Sequence, residues 1–191
     1  MLRVIDLKLE LEYYQKFKMK PIIRLRGEDG HETIELAFDV NEKAVSQNDN
    51  HPILTLMHDP EAIRPRPRSA GLFHFAILTP DRKSLATTFV SLENQGVQFA
   101  GFADHLVSES LYLQDPEDNG IELYCDKPRE EWQFDENGYI RMDTIALDLQ
   151  SLLSELNRND DMISKESTSK NLRPFPRGAY PSEGYQSCCF D

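Results

Sequence analysis

Cysteine is scarce in this chain of 191 residues, and positive charge is in deficit. The three cysteines, Cys125, Cys188 and Cys189, are an odd number without the regular spacing of a disulfide framework or a zinc ribbon. Lys and Arg number 21 against 33 Asp and Glu, which gives a net charge of -12 at pH 7. Nucleic acids and anionic membranes attract clustered basic residues, so we expect neither as the main partner.

Long apolar runs are also missing. No stretch has the length that crosses a membrane, and the first residues lack the pattern of a signal peptide. Together with the low cysteine content, this predicts a cytoplasmic protein. Hydrophobic residues make up 39% of the chain, enough for one domain with a sizeable core or two small domains that share one.

An internal repeat organises the chain. The segment that starts at Asp6 aligns with the one that starts at Asp81, an offset of 81 - 6 = 75 residues. This alignment matches Tyr14 with Phe89, Phe17 with Leu92, and Ile22 with Val97. Apolar residues at helical spacing follow each aspartate, which predicts one helix in each copy and a short strand after it.

The later strands repeat as well. Alternating polar and apolar residues predict strands at 21–26, 32–40 and 52–60 in the first copy, and at 97–103, 110–116 and 120–128 in the second. The sequence EDNG at 117–120 predicts a hairpin turn, since Asn-Gly suits a tight turn with positive φ. Each copy is therefore predicted to be a βαβββ module.

These patterns divide the chain into five segments. We predict a first module over 1–62, a linker over 63–70, a second module over 71–132, an extension over 133–157, and a polar tail over 158–191 that is mostly disordered. In the extension we expect a strand at 137–143 and a helix at 144–157. One face of that helix would carry Ile145, Leu149, Leu152, Leu153 and Leu156.

Two stretches resemble a known superfamily. The strings GLFHFAILTPDRKSLA, at 71–86, and DHLVSESLYLQDPEDNGIELYCDKPREEW, at 104–132, are similar to the vicinal oxygen chelate superfamily. Within it they resemble catechol-2,3-dioxygenase-like and glyoxalase-type proteins. The resemblance implies an α+β fold in which paired βαβββ modules form a half-open β-barrel around a divalent metal, followed here by a C-terminal helix and the tail.

The resemblance also implies the residues of a site. His74 and Glu122 match metal-ligand positions, and the expected metal is Fe(II), with Mn(II) or another divalent metal as the alternative. A site of two histidines and one carboxylate leaves coordination positions open for a catecholate and dioxygen. His105 and Tyr112 match an acid–base histidine and a tyrosine that orients oxygen. The alternative is structural, because a lone strand histidine is usually a hydrogen-bonded core residue and a lone strand glutamate usually faces water.

The first module departs from the pattern of the superfamily. With the offset of 75, the counterpart of His74 falls at 74 - 75 = -1, so we expect a truncated first strand without a histidine ligand. Aligning the last strands of the modules puts Leu54 opposite Glu122, and leucine cannot bind metal. His58, four residues further on, is a candidate replacement.

Extradiol ring cleavage of a catechol-like aromatic is the function that the resemblance implies, and whether this chain is an active enzyme stays open. The alternatives are a small-molecule binding protein without catalysis, a truncated remnant of a longer dioxygenase, and a glyoxalase-type lyase or isomerase. An unpaired edge of the barrel would favour dimerisation, so a homodimer is an expected assembly.

Overall fold

The computed structural model describes residues 1–28, 30–38, 51–64 and 71–157. Two segments repeat one order of elements, which confirms the α+β fold of paired βαβββ modules. The first consists of β1 (Leu2–Val4), α1 (Leu7–Gln15), β2 (Met19–Arg26), β3 (Glu32–Phe38) and β4 (Leu54–His58). The second consists of β5 (Phe75–Leu78), α2 (Arg82–Asn94), β6 (Phe99–Asp104), β7 (Ser108–Gln114) and β8 (Gly120–Asp126).

Each module contributes its own sheet. Within the described ranges the strand order is β1-β4-β3-β2 in the first sheet and β5-β8-β7-β6 in the second, which continues with β9 (Ile145–Ala146). The pairings β1–β4 and β5–β8 are parallel, and the neighbouring strand pairs are antiparallel. Neither sheet closes on itself, as a half-open barrel requires.

The helices begin at the two aspartates that define the repeat. The carboxylate of Asp6 accepts a hydrogen bond from the backbone N–H of Leu9 at 3.0 Å, and that of Asp81 accepts one from Ser84 at 2.6 Å. The bonds from Ser84 lower the pKa of Asp81. Both aspartates are therefore N-caps, which satisfy backbone donors that the first turn leaves unpaired.

Both modules share one hydrophobic core. It joins the apolar faces of α1 and α2 to the inward faces of the two sheets. Its most deeply buried side chains include Tyr14, Leu56, Leu85, Leu111 and Leu123. Burial of one such leucine stabilises the fold by about 1.5–3 kcal/mol, so the shared core fixes the framework that carries the site.

The extension folds differently from its prediction. Residues 137–143 are not a strand; a turn forms there, in which Asp135 accepts hydrogen bonds from the backbone N–H groups of Asn137 and Tyr139. The predicted helix over 144–157 is shortened to α3 (Leu149–Ser154), because β9 pairs with β6 and Asp148 caps the helix through the N–H of Ser151.

The other segments fall partly or wholly outside the described residues. The tail over 158–191 lies outside them, as do residues 65–70 of the predicted linker. In the part of the chain that is described, no helix has both the length and the apolar character needed to cross a membrane.

Candidate functional site

The second sheet sets the positions of the predicted site residues. Glu122 lies on β8 directly opposite Tyr112 of β7, and opposite Ala76 of β5 on its other side. His74 is the residue just before β5, two positions from Ala76. His105 follows the last residue of β6, in the turn that leads into β7.

A continuous chain of polar contacts joins these four side chains. His74 Nε2 lies 2.9 Å from Glu122 Oε2, and the Tyr112 hydroxyl donates to Glu122 Oε1 at 2.9 Å. His105 Nε2 lies 2.8 Å from the Tyr112 hydroxyl oxygen. The side chains of His74 and Glu122 are 27% and 13% exposed, so the pair is accessible at one edge and sheltered elsewhere. The structure thus brings together all four residues that the sequence singled out, and their chemical roles remain predictions.

Close approach of the backbone explains the glycine beside this pair. A Cβ on Gly120 would lie 2.2 Å from the carbonyl oxygen of Phe73 and 2.9 Å from the Cβ of His74. Gly120 therefore lets His74 approach β8. The prediction of a positive φ at the Asn-Gly position was wrong: the positive φ in this turn, 68°, belongs to Asp118. Gly120 is needed for space and not for its backbone conformation.

Tyr112 keeps its proton near neutral pH. Burial raises the pKa of its hydroxyl above the ordinary value, and the hydrogen bond to Glu122 and the charge of Glu122 raise it further. The hydroxyl therefore has one hydrogen to donate, and Glu122 receives it.

A rigid turn presents His105. Leu106 adopts a positive φ of 69°, which is unfavourable for a residue with a side chain. The carboxylate of Asp104 offsets this by accepting from the N–H of Leu106 at 2.8 Å while it pairs with Lys127 Nζ at 2.6 Å. The N–H of His105 donates to the Ser108 carbonyl at 2.8 Å. The backbone of the turn is thus fixed on both sides of His105.

Two contacts to His105 come from residues that the sequence did not indicate. His105 Nδ1 lies 3.2 Å from the carbonyl oxygen of Asp143 and 3.3 Å from Thr144 Oγ1. No local signal could have found them, because the pairing of β9 with β6 brings this segment to the site from 38 residues away along the chain.

The donor atoms of His74 and Glu122 fit adjacent positions around a divalent metal. Two ligands with bonds of about 2.1 Å at a right angle are separated by about 3.0 Å, close to the observed 2.9 Å. Within the described ranges, no cluster of three His, Cys, Asp or Glu side chains could hold a metal ion. If a metal binds here, the described residues would supply two ligands, and water or substrate would take the remaining positions.

The described strands of the first module carry no equivalent pair. With the capping aspartates aligned, Leu2 corresponds to Ile77, and their strand partners Leu56 and Leu123 then correspond too. Thr55, not Leu54, is thus the counterpart of Glu122. Leu54 is a core residue, 6% exposed, since a shift of one residue moves a side chain to the opposite face of a sheet.

His58 lies on the same face of β4 as Leu54, as predicted, but the counterpart of Glu122 is Thr55, which points to the other face. By the alternation of β4 it belongs with Leu54 and Leu56 and not with Thr55. Its carbonyl oxygen lies 2.8 Å from His31 Nδ1.

Known proteins resemble this chain in sequence and in fold. No protein-family model matches it. It is 48% identical over 104 residues to a catechol-2,3-dioxygenase from Bacillus subtilis (strain 168), a match that covers 54% of this chain and 36% of that protein. It is 31% identical over 99 residues to biphenyl-2,3-diol 1,2-dioxygenase 2 from Rhodococcus globerulus, covering 51% and 47%. The chain thus spans less than half the length of either curated relative.

A solved structure shares the fold. The glyoxylase/bleomycin resistance protein/dioxygenase domain from Frankia sp. EAN1pec superposes with a TM-score of 0.52 at 16% identity, covering 65% of this chain and 92% of that domain. The two open sheets with their helices are therefore the fold of that group of proteins.

Proposed function

Since the chain belongs to the vicinal oxygen chelate superfamily, we propose that its second module is a metal-dependent site for extradiol cleavage of a catechol-like aromatic. The observation that carries the proposal is the unbroken chain of contacts His74–Glu122–Tyr112–His105. The names of both curated relatives refer to aromatic diols, which supports a small aromatic diol as the ligand.

His74 and Glu122 are the proposed ligands of the metal. We propose Fe(II), with Mn(II) or another divalent metal as the alternative, because imidazole and carboxylate suit all of these ions. A redox-active metal supplies the electron-transfer chemistry that ring cleavage by dioxygen requires. Glu122 also accepts the hydroxyl hydrogen of Tyr112, which fixes the orientation of the carboxylate.

His105 and Tyr112 are the proposed proton-handling groups. Imidazole has one nitrogen that can accept a proton and one N–H that can donate, so it can take a proton from a catechol hydroxyl and return it to the product. Tyr112 stays protonated, so it can donate a hydrogen bond but does not act as a base near pH 7. The 2.8 Å contact between them places the two groups within hydrogen-bonding distance of each other.

A binding protein without catalysis is the second candidate. The described residues supply two ligand side chains and no third, which weakens metal retention and favours a role in holding a small aromatic molecule. A cytoplasmic location and a homodimer belong to the same proposal. The edge strand β2 exposes Ile23 and Leu25, which supports pairing with a second copy.

Anaerobic titration of the metal-free chain with Fe(II), followed by metal analysis after desalting, tests the proposal. We expect about one Fe(II) per chain to be retained, and His74→Ala to abolish the retention. His51→Ala, which changes an exposed histidine outside the site, is the matched control and should retain the metal like the unaltered chain.

Oxygen consumption with catechol then separates the two candidates. Turnover by the Fe(II)-loaded chain that is lost in His105→Ala supports the dioxygenase. Catechol binding without oxygen consumption supports the binding protein. Failure of the unaltered chain to retain Fe(II) would overturn the enzymatic proposal.

A further inference from the structure

The extension reaches His105 from the side opposite Tyr112. Asp104, at the end of β6, pairs with Ile145 of β9. This pairing places the two residues before Ile145 beside the imidazole of His105. As a result, Nδ1 of His105 faces the carbonyl oxygen of Asp143 and the hydroxyl of Thr144. The side chain of Asp143 accepts from the N–H of Thr144 at 2.7 Å, which fixes the segment locally.

The hydrogen-bond partners of His105 determine which of its two ring nitrogens carries a hydrogen. The single hydroxyl hydrogen of Tyr112 is donated to Glu122, so the Tyr112 oxygen can only accept from His105. His105 Nε2 must then carry a hydrogen. In a neutral imidazole this leaves Nδ1 without one, and Nδ1 needs a donor.

Of the two groups that face Nδ1, only Thr144 can donate. A carbonyl oxygen accepts and never donates, so the Asp143 carbonyl suits an imidazole that has a hydrogen on Nδ1. The hydroxyl of Thr144 suits an imidazole that has none. The segment therefore offers one partner for each state of Nδ1.

We propose that Thr144 is a positioning residue that holds neutral His105 with its hydrogen on Nε2, directed at Tyr112, and that the Asp143 carbonyl stabilises the ring once Nδ1 is protonated. This arrangement keeps the Nε2–H of His105 directed at the Tyr112–Glu122 pair. A role for it in catalysis rests on the proposed function. The geometric claim stands on the contacts of His105 alone.

Thr144→Val tests the claim, because valine keeps the branched shape and removes the hydroxyl. Thr144→Ser is the matched control that retains a donor. The ¹⁵N signals of His105 in the metal-free full chain, identified by their loss in His105→Gln, report its tautomer. The spectra are taken at about pH 8.5, where ordinary imidazoles are neutral.

We expect the unaltered chain and Thr144→Ser to hold the hydrogen on Nε2. In Thr144→Val the ratio of the tautomers should move about fivefold toward Nδ1–H, because loss of one hydrogen bond changes an equilibrium by about that factor. The Nδ1–H would then donate to Asp143, and Tyr112 would donate to His105 in place of Glu122. Thr144→Ala should give the same result with less bulk, which guards against misfolding of the valine variant.

An unchanged tautomer ratio in both Thr144→Val and Thr144→Ala would overturn the proposal, and so would a shift in Thr144→Ser of the same size as in Thr144→Val. The ¹⁵N measurement needs neither bound metal nor catalytic turnover. A chain that fails to retain Fe(II) but shows the tautomer shift would therefore contradict the proposed function and leave this inference standing.

Discussion

The two modules share a framework down to its irregularities. In the first, the register shifts between Pro21 and Ile23, which face Leu36 and Glu35 of β3. In the second, it shifts between Phe99 and Gly101, which face Leu113 and Tyr112 of β7. Alignment of the strands makes these two bulges equivalent. Both modules thus have a β-bulge at the same position of the sheet, and a bulge bends the strand in which it lies.

The modules differ in what they place on that framework. The cross-strand pair that corresponds to Tyr112 and Glu122 is Glu35 and Thr55 in the first module. The comparison teaches that helix caps, core and register do not require the site residues, so the chemistry of the second module can be changed separately from its fold.

The largest effect is expected from Gly120→Ala. The new methyl group would meet the Phe73 carbonyl at 2.2 Å and must push His74 away from Glu122. We expect a loss of about 3 kcal/mol in the free energy of unfolding, measured by urea denaturation, together with loss of Fe(II) retention. Gly101→Ala is the matched control, because a Cβ there meets nothing within 4 Å. Equal losses in both variants would show that a strand glycine matters for reasons other than this contact.

The contact between the modules should depend on pH through Glu10. This residue of α1 is fully buried, and its carboxyl oxygens have no hydrogen-bond partner among the described residues. Burial raises its pKa to about 9, and the carboxylates of Asp115 and Glu117 in the second module add to the rise. Glu10 is therefore neutral in the folded protein at pH 7.

A raised pKa means that the folded state holds a proton that the unfolded state releases. Stability is therefore greatest below the ordinary pKa of 4.5 and falls as pH rises toward about 9. Glu10→Gln cannot lose a proton, so we expect it to match the unaltered chain near pH 4 and exceed it by up to about 3 kcal/mol at pH 7.

Urea denaturation at several pH values measures the difference. Glu12→Gln is the control on the same helix, since Glu12 is 61% exposed and lies 3.8 Å from Lys8 in a surface pair of little energy. A gain in Glu10→Gln that does not grow with pH would contradict ionisation as its cause.

A smaller effect is expected from Tyr112→Phe. It removes the donor to Glu122 Oε1 and should cost about 1 kcal/mol in the free energy of unfolding. Tyr13→Phe removes a hydroxyl that donates to the Gln114 carbonyl at 2.7 Å, outside the site, and should cost about as much. The ¹⁵N signals of His105 should shift in Tyr112→Phe alone, and a shift in both variants would mean that the contact chain is not specific.

Local sequence signals predicted the features that depend on neighbouring residues. The capping aspartates Asp6 and Asp81 and the apolar spacing behind them marked both helices, because a cap and a helical face are set within a few residues. The register of β4 was not predictable in this way. Its sequence aligns with that of β8 in two ways one residue apart, and only the pairing with β1 selects Thr55 over Leu54 as the counterpart of Glu122.

The other features that differ from the sequence predictions depend on contacts between residues far apart in the chain. Apolar spacing over 144–157 predicted a long helix, but pairing with β6 takes Ile145 and Ala146 into a strand. His74 and Glu122 were selected by resemblance, since an isolated strand histidine and glutamate have no distinctive spacing. The space requirement at Gly120 and the contact of Thr144 with His105 arise between elements far apart in sequence, where no local pattern could show them.

The smallest effect is expected in the first module. Glu35 occupies the position equivalent to Tyr112, and it is the ionisable member of the pair that corresponds to the site. If metal binding belongs to the second module, Glu35→Gln should leave Fe(II) retention unchanged, whereas Glu122→Gln should reduce it at least tenfold, because an amide is a weaker ligand than a carboxylate. Titration of both variants under the same anaerobic conditions gives the comparison. A similar loss in Glu35→Gln would show that the first module supplies a ligand, and the division of chemistry between the two modules would no longer hold.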